Sequence, residues 1–285
     1  MDEQTLRLLQ RLRLNNLALT GRLRANLDAQ LTARWMGLDS WRDDDITRLL
    51  NEILPLVSAA ERQMVDTTNA YIASTQATAA GSAFRPRPIR YQDLTGAALR
   101  GVDPSVVFRR PQMVMNYRLS KGASLSDAID AGANRLRSLG ATNLQLAKTK
   151  TVAVQGQSSF YRRVLTGSEN CALCVIASTQ RYRRGKLAPI HPGCDCGIEE
   201  IIEAQPPHVI DSNLLELTHT EINARLGGTD RSAQDLGRDK RDARDQPLSD
   251  FTDLIVVREH GELGPTLAWR GDRFRGPAEA ADLAA

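Results

Sequence analysis

Leucines at positions 19, 23, 27 and 31 recur every fourth residue, and Leu9 and Leu12 continue the same face. The arginines at 7, 11, 13, 22, 24 and 34 fall mostly between them. An apolar side chain on every turn marks an amphipathic helix, predicted over residues 4–34. Gly37 and the acidic run Asp43–Asp44–Asp45 mark a turn and the start of a second helix, since carboxylates favour a helix N-terminus. That helix is predicted over 44–80, with Ile46, Leu49, Leu50, Ile53, Leu54, Val57, Ala60, Met64 and Val65 as its stripe. Pro55 inside it is expected to kink or divide it.

Residues 84–112 contain four prolines and no sustained period, which predicts a connector with short helical pieces. Helical periodicity resumes over 112–148. A cap from Ser124 with Asp127, or Ser126 with Asp130, precedes an apolar face of Leu125, Ile129, Ala133 and Leu136. Gly140 is expected to end this helix, and a further one is predicted from Asn143 to about Val154. FYRRVL, from Phe160, reads as a short strand or an extended entry into the cysteine module. A proline-rich link at 205–207, a short helix over 212–226 and a charged, apolar-poor stretch over 229–249 follow. Residues 253–269 then read as two strands around a Gly-Glu-Leu-Gly-Pro turn. The expected regions are 1–82 (long helices), 83–156 (helical middle with the proline-rich connector), 157–204 (cysteine/histidine module), 205–250 (linker) and 251–285 (hairpin and tail). The fold class expected is mainly α, with a small α+β cysteine-rich, zinc-knuckle-like module and a short C-terminal β-hairpin.

The 285 residues are 41% hydrophobic and 25% charged, with a net charge of +3, too small to mark a nucleic-acid binder on charge alone. No apolar run is long enough for a membrane span. The start, MDEQTLRLLQ, interleaves charges with leucines and does not read as a signal peptide. P-loop, nucleophile-elbow and H-E-x-x-H patterns are all missing from the sequence.

All four cysteines lie close together, at Cys171, Cys174, Cys194 and Cys196, and His191 precedes the last pair. A C-x2-C followed some twenty residues later by a second cluster is a common zinc spacing, and zinc takes four N or S ligands tetrahedrally. Cys171, Cys174 and His191 are the first candidates. An extended C-x-C is expected to point its sulfurs apart, which leaves one of Cys194 and Cys196 as the fourth. Disulfides compete with this reading but suit an oxidising compartment, which nothing else in the chain suggests. A redox C-x2-C would need a thioredoxin-like context that the flanks lack. A Cys194–His191 nucleophile pair is conceivable only if those groups do not hold metal. His208, His219 and His260 lie in no catalytic spacing. Arg162, Arg163, Arg181, Arg183, Arg184 and Lys186 surround the module and are candidate phosphate contacts, of the sequence-neutral kind that salt weakens.

The run RRVLTGSENCALCVIASTQRY with PIHPGCDC downstream resembles the closing module of phage head-morphogenesis proteins, the minor head proteins similar to protein F of phage Mu. It looks most like the minor capsid proteins of phages that infect actinobacteria. The carrying features are Tyr161 to Val164, Cys171, Cys174, Tyr182 and the H-P-x-C-x-C at 191–196, with FRRP at 108–111 and REHGELGPTL at 258–267. The resemblance implies a structural virion component with no established catalysis. Such a protein docks on the portal protein or the major capsid protein during head assembly, in the host cytoplasm, and stays in the virion. It could lie near packaged double-stranded DNA, with no membrane partner. The alternatives are a zinc-dependent nuclease and a zinc-finger regulator. A nuclease would need a catalytic histidine and an open metal position. A regulator's recognition helix would fall on the acidic residues 197–203, which repel phosphate.

Overall fold

The computed structural model describes residues 2–165, 174, 177–184, 196–202, 211, 213, 255–260 and 264–269. Two compact units divide the chain, a helical one over Met1–Gln157 and a β-containing one that begins at Ser158. The expected regions 1–82 and 83–156 thus belong to a single packed unit.

Helix α1 spans Glu3–Met36 and starts where the Asp2 carboxylate accepts a hydrogen bond from the Thr5 amide at 2.7 Å. Its buried line runs Asn16, Thr20, Leu27, Leu31, Trp35, and so keeps Leu27 and Leu31 of the four leucines but not Leu19 or Leu23. Leu19 is 49% exposed, as are Leu6, Leu8 and Leu14 to similar degrees. The Thr20 hydroxyl donates to the Asn16 carbonyl at 2.8 Å, so a polar residue occupies this buried position without an orphaned hydroxyl.

Helix α2, Asp43–Ala80, opens on its three aspartates and ends at Gly81 in the left-handed conformation (φ 62°). It is not divided at Pro55. One lost backbone hydrogen bond is outweighed by the burial of Ile53 and Val57 on either side. The connector carries short helices α3 (Tyr91–Leu94), α4 (Ala97–Arg100) and α5 (Pro104–Phe108), then α6 (Arg110–Ser120).

Helix α7, Leu125–Gln155, is capped by Ser124, whose hydroxyl accepts from the Asp127 amide at 3.1 Å while donating to its carboxylate at 2.7 Å. It runs unbroken through Gly140 and absorbs the separate helix expected from Asn143. The reason is packing. A Cβ on Gly140 would meet Leu31 Cδ1 at 2.7 Å, and one on Gly132 would meet the Trp35 ring at 2.3 Å. These glycines are notches that let α7 close onto α1. Helices α1, α2 and α7 pack mutually, and α6 lies on α7. No helix among the described residues is long and apolar enough to cross a membrane.

In the second unit, β1 (Phe160–Val164) is the central strand of an antiparallel sheet with β2 (Arg181–Arg183) and β3 (Gly197–Ile201), in the order β2-β1-β3. Strands β4 (Ile255–His260) and β5 (Gly264–Trp269) pair antiparallel, Ile255 opposite Trp269. The expected hairpin is therefore present. The expected helix over 212–226, the charged stretch and the tail lie outside the described residues, apart from Asn213.

Candidate functional site in the three-stranded sheet

Side chains two apart on a strand share a face. On β1 this puts Tyr161 and Arg163 on the buried face, and Phe160 and Arg162 on the other. Opposite them, Ile198 and Glu200 of β3 are buried. Cys196, two residues before Ile198, continues that face and is 0% exposed. Arg163 is only 3% exposed. Its Nη1 donates to Cys196 Sγ at 3.2 Å, and its guanidinium lies 5.4 Å from the centroid of the Tyr182 ring.

Cys174 is also buried, and it and Cys196 are thiols. The Tyr182 hydroxyl donates to the Ala177 carbonyl at 2.9 Å, close to Cys174 in sequence. Burial raises the pKa of this hydroxyl above the usual tyrosine range; Arg163 opposes that shift, and negative charge on Cys196 or Cys174 adds to it. At the other end of the face, the Glu200 carboxylate accepts from Tyr161 Oη at 3.0 Å and from the Ser158 amide at 3.1 Å. Burial, and then the Glu200 charge, push the Tyr161 hydroxyl strongly upward.

Of the five candidate metal ligands, the described residues include Cys174 and Cys196, while Cys171, His191 and Cys194 lie outside them. No group of three or more potential ligands occurs among the described residues. Cys174 and Cys196 are buried sulfurs of the type zinc takes, and an N–H donor on one of them is the support such ligands receive in metal sites. The donor chemistry fits zinc. Since i and i+2 share a strand face, extended backbone does not point the sulfurs of C-x-C apart, and the expectation of a single ligand from that pair loses its basis.

The candidate phosphate contacts fare unequally. Arg162 is ion-paired with Glu199, with its Nη2 2.7 Å and its Nε 2.8 Å from the same carboxylate oxygen. Arg163 is buried in the interior of the sheet, where phosphate does not reach it. Arg181 stacks 4.5 Å from the Phe160 ring centroid. Arg183 and Arg184 are exposed, and Lys186 lies outside the described residues.

The helical unit holds a second polar centre that periodicity does not announce. Glu61, 1% exposed, accepts from the Gly96 amide and from Asn143 Nδ2, both at 2.7 Å. Asn143 Oδ1 in turn accepts from Arg100 Nε at 2.8 Å. Burial raises the Glu61 carboxyl above the usual range, and burial with repulsion from Arg135 and Arg110 lowers Arg100 to about 10. A lone Glu, Asn or Arg within an apolar stripe is the only signal the sequence offers for it. The network ties α2, α4 and α7 together. No family model, curated protein or solved structure matches this chain.

Proposed function

We propose that the chain is a minor head protein of a tailed phage, a structural component that docks at the portal or inner capsid surface during head assembly and remains in the virion. The observation that carries this reading is the cysteine module: Tyr161–Val164, the C-x2-C at Cys171 and Cys174, Tyr182, and the H-P-x-C-x-C ending at Cys196. Its support in the fold is that Tyr161, Tyr182, Cys174 and Cys196 contribute to one small sheet unit, with both of these cysteines buried. In this reading zinc is structural, held by Cys174 and Cys196 with partners from Cys171, His191 and Cys194. Exposed Arg183 and Arg184 offer packaged duplex DNA a sequence-neutral contact.

Two measurements test the proposal. Native mass spectrometry of protein purified in reducing buffer should find one zinc per chain, lost in Cys174→Ser and Cys196→Ser. Co-expression with portal and major capsid proteins should place the chain in sedimenting heads. A chain that stays at the top of the gradient in the presence of assembled heads refutes the assembly role.

A further inference from the structure

The two halves of α1 are held differently. In the C-terminal half Leu27, Leu31 and Trp35 are buried, Asp28 pairs with Arg137 at 2.8 Å, and the Trp35 indole donates to the Ile129 carbonyl at 3.0 Å. In the N-terminal half the buried side chains are Asn16 and Thr20, both polar. Of its leucines, Leu9, Leu12, Leu17 and Leu23 are half-buried, and Leu6, Leu8, Leu14 and Leu19 are exposed.

The neighbouring stretch of α2 is polar at the same level. A short turn joins the two helices, and Arg34 of α1 stands 3.8 Å from Glu52 of α2, so they run antiparallel. Counting back along both at the same rise puts Asn16 level with about residue 70 of α2. Thr68, 1% exposed, and the half-buried Asn69 lie there. Asn16 Oδ1, Thr68 Oγ1 and Asn69 Oδ1 are all buried with no hydrogen-bond partner among the described residues. A buried polar atom left unsatisfied opposes packing, whereas a buried leucine favours it. Dry or hydrated, this layer holds α1 less firmly than the leucines and Trp35 beyond it.

Gly21 stands between the two halves. It is exposed, and a Cβ there would meet nothing within 4 Å. Unlike Gly132 and Gly140, it is therefore not a notch. Its effect is on the backbone, since glycine inside a helix lowers the helical equilibrium about fivefold relative to alanine.

We infer that α1 up to Gly21 is a strap that parts from α2 along the polar layer, with Gly21 as its hinge, while the remainder of α1 stays in the core. Released from α2, a strap of this length is marginal as a helix in water, so parting exposes its amides to exchange. The inference is independent of the function proposed above.

Hydrogen–deuterium exchange of the full chain, read on overlapping peptic fragments, tests it. Residues 10–20 should exchange about tenfold faster, or more, than residues 27–36, with a step at Gly21. Gly21→Ala, which meets no packing obstacle, should slow residues 10–20 about fivefold. Asn16→Leu/Thr68→Val, which removes two of the unsatisfied atoms, should slow them about tenfold or more. Residues 27–36 should be unchanged in both variants. Equal protection of the two halves would overturn the strap. So would a steady rise in exchange toward the chain end with no step, which is ordinary fraying. Variants that leave residues 10–20 unaltered, or that slow both halves equally, would overturn it as well.

Discussion

Gly132 is where the packing of α7 on α1 can be tested most sharply. A methyl group there would lie 2.3 Å from Trp35 Cζ2 and 3.0 Å from Cε2 and Cη2, where carbon atoms prefer about 3.5 Å or more. The indole cannot easily retreat. It is 1% exposed, stands 6.3 Å from the Trp41 ring, and its Nε1 donates to the Ile129 carbonyl at 3.0 Å. In Gly132→Ala, overpacking costs about 1–3 kcal/mol, and a displaced indole forfeits a hydrogen bond of about 1 kcal/mol. Alanine returns about 1 kcal/mol of helix propensity. The net expectation is a loss of about 2 kcal/mol. Gly140→Ala makes a useful contrast, because its new methyl meets the ends of Leu31 and Leu27, at 2.7 and 3.5 Å, which can change rotamer. There the propensity gain and packing cost of about 1 kcal/mol each nearly cancel. Urea unfolding followed by circular dichroism should give a midpoint clearly lowered for Gly132→Ala and little changed for Gly140→Ala, with equal slopes. A Gly132→Ala midpoint at or above that of the wild type would refute the notch.

Other expectations follow from single contacts. Gln155 is fully buried and its amide both accepts from the Arg87 amide (3.1 Å) and donates to its carbonyl (3.0 Å). Gln155→Ala should cost about 1–3 kcal/mol and speed tryptic cleavage after Arg90, the arginine of this segment not followed by proline, before the helices unfold. Ser124→Ala removes the α7 cap and should cost about 1 kcal/mol in the same urea assay. Burial raises the Glu61 pKa above its ordinary 4.5, so the folded chain binds the proton more tightly than the unfolded one. Wild-type stability should therefore fall as pH rises from about that ordinary value through the raised one, and Glu61→Gln should flatten the fall; a wild-type midpoint that climbs more steeply than the variant's over that window would reverse the sign.

The long helices are legible because period, caps and acidic starts agree: Ser124 with Asp127, the three aspartates at 43–45, and Gly81 each stand where the helix ends do. What misleads is residue type taken without its neighbours. Propensity alone makes Gly140 a stop, but Leu27 and Leu31 of α1 occupy the space its missing side chain leaves. Leu19 belongs to a fine four-residue repeat, yet the buried line passes through Asn16 and Thr20, because which face of a helix is buried depends on partners that periodicity does not contain. In the sheet, alternation predicts that Tyr161 and Arg163 share a face. Only the pairing of β1 with β3 tells that this face is the buried one and that Cys196 shares it.

The two units also differ in how their interiors are filled. The helical unit buries Trp35, Phe108, Leu31, Ile46, Ile53 and Leu136 almost completely. The sheet unit has strands of five, three and five residues. Its described interior is Tyr161, Ile198, Ala177 and two cysteines, beside Arg163, Glu200, Ser178 and Thr179. Buried charges are costly unless paired, and so small a sheet gains little from apolar burial. On the zinc reading proposed above, metal binding would add folding free energy to this unit. The guanidinium on Cys196 suits that role, because a metal-bound sulfur is a thiolate and gives the buried Arg163 charge a partner of opposite sign. If zinc binds as proposed above, zinc and Arg163 stabilise each other through the Cys196 thiolate.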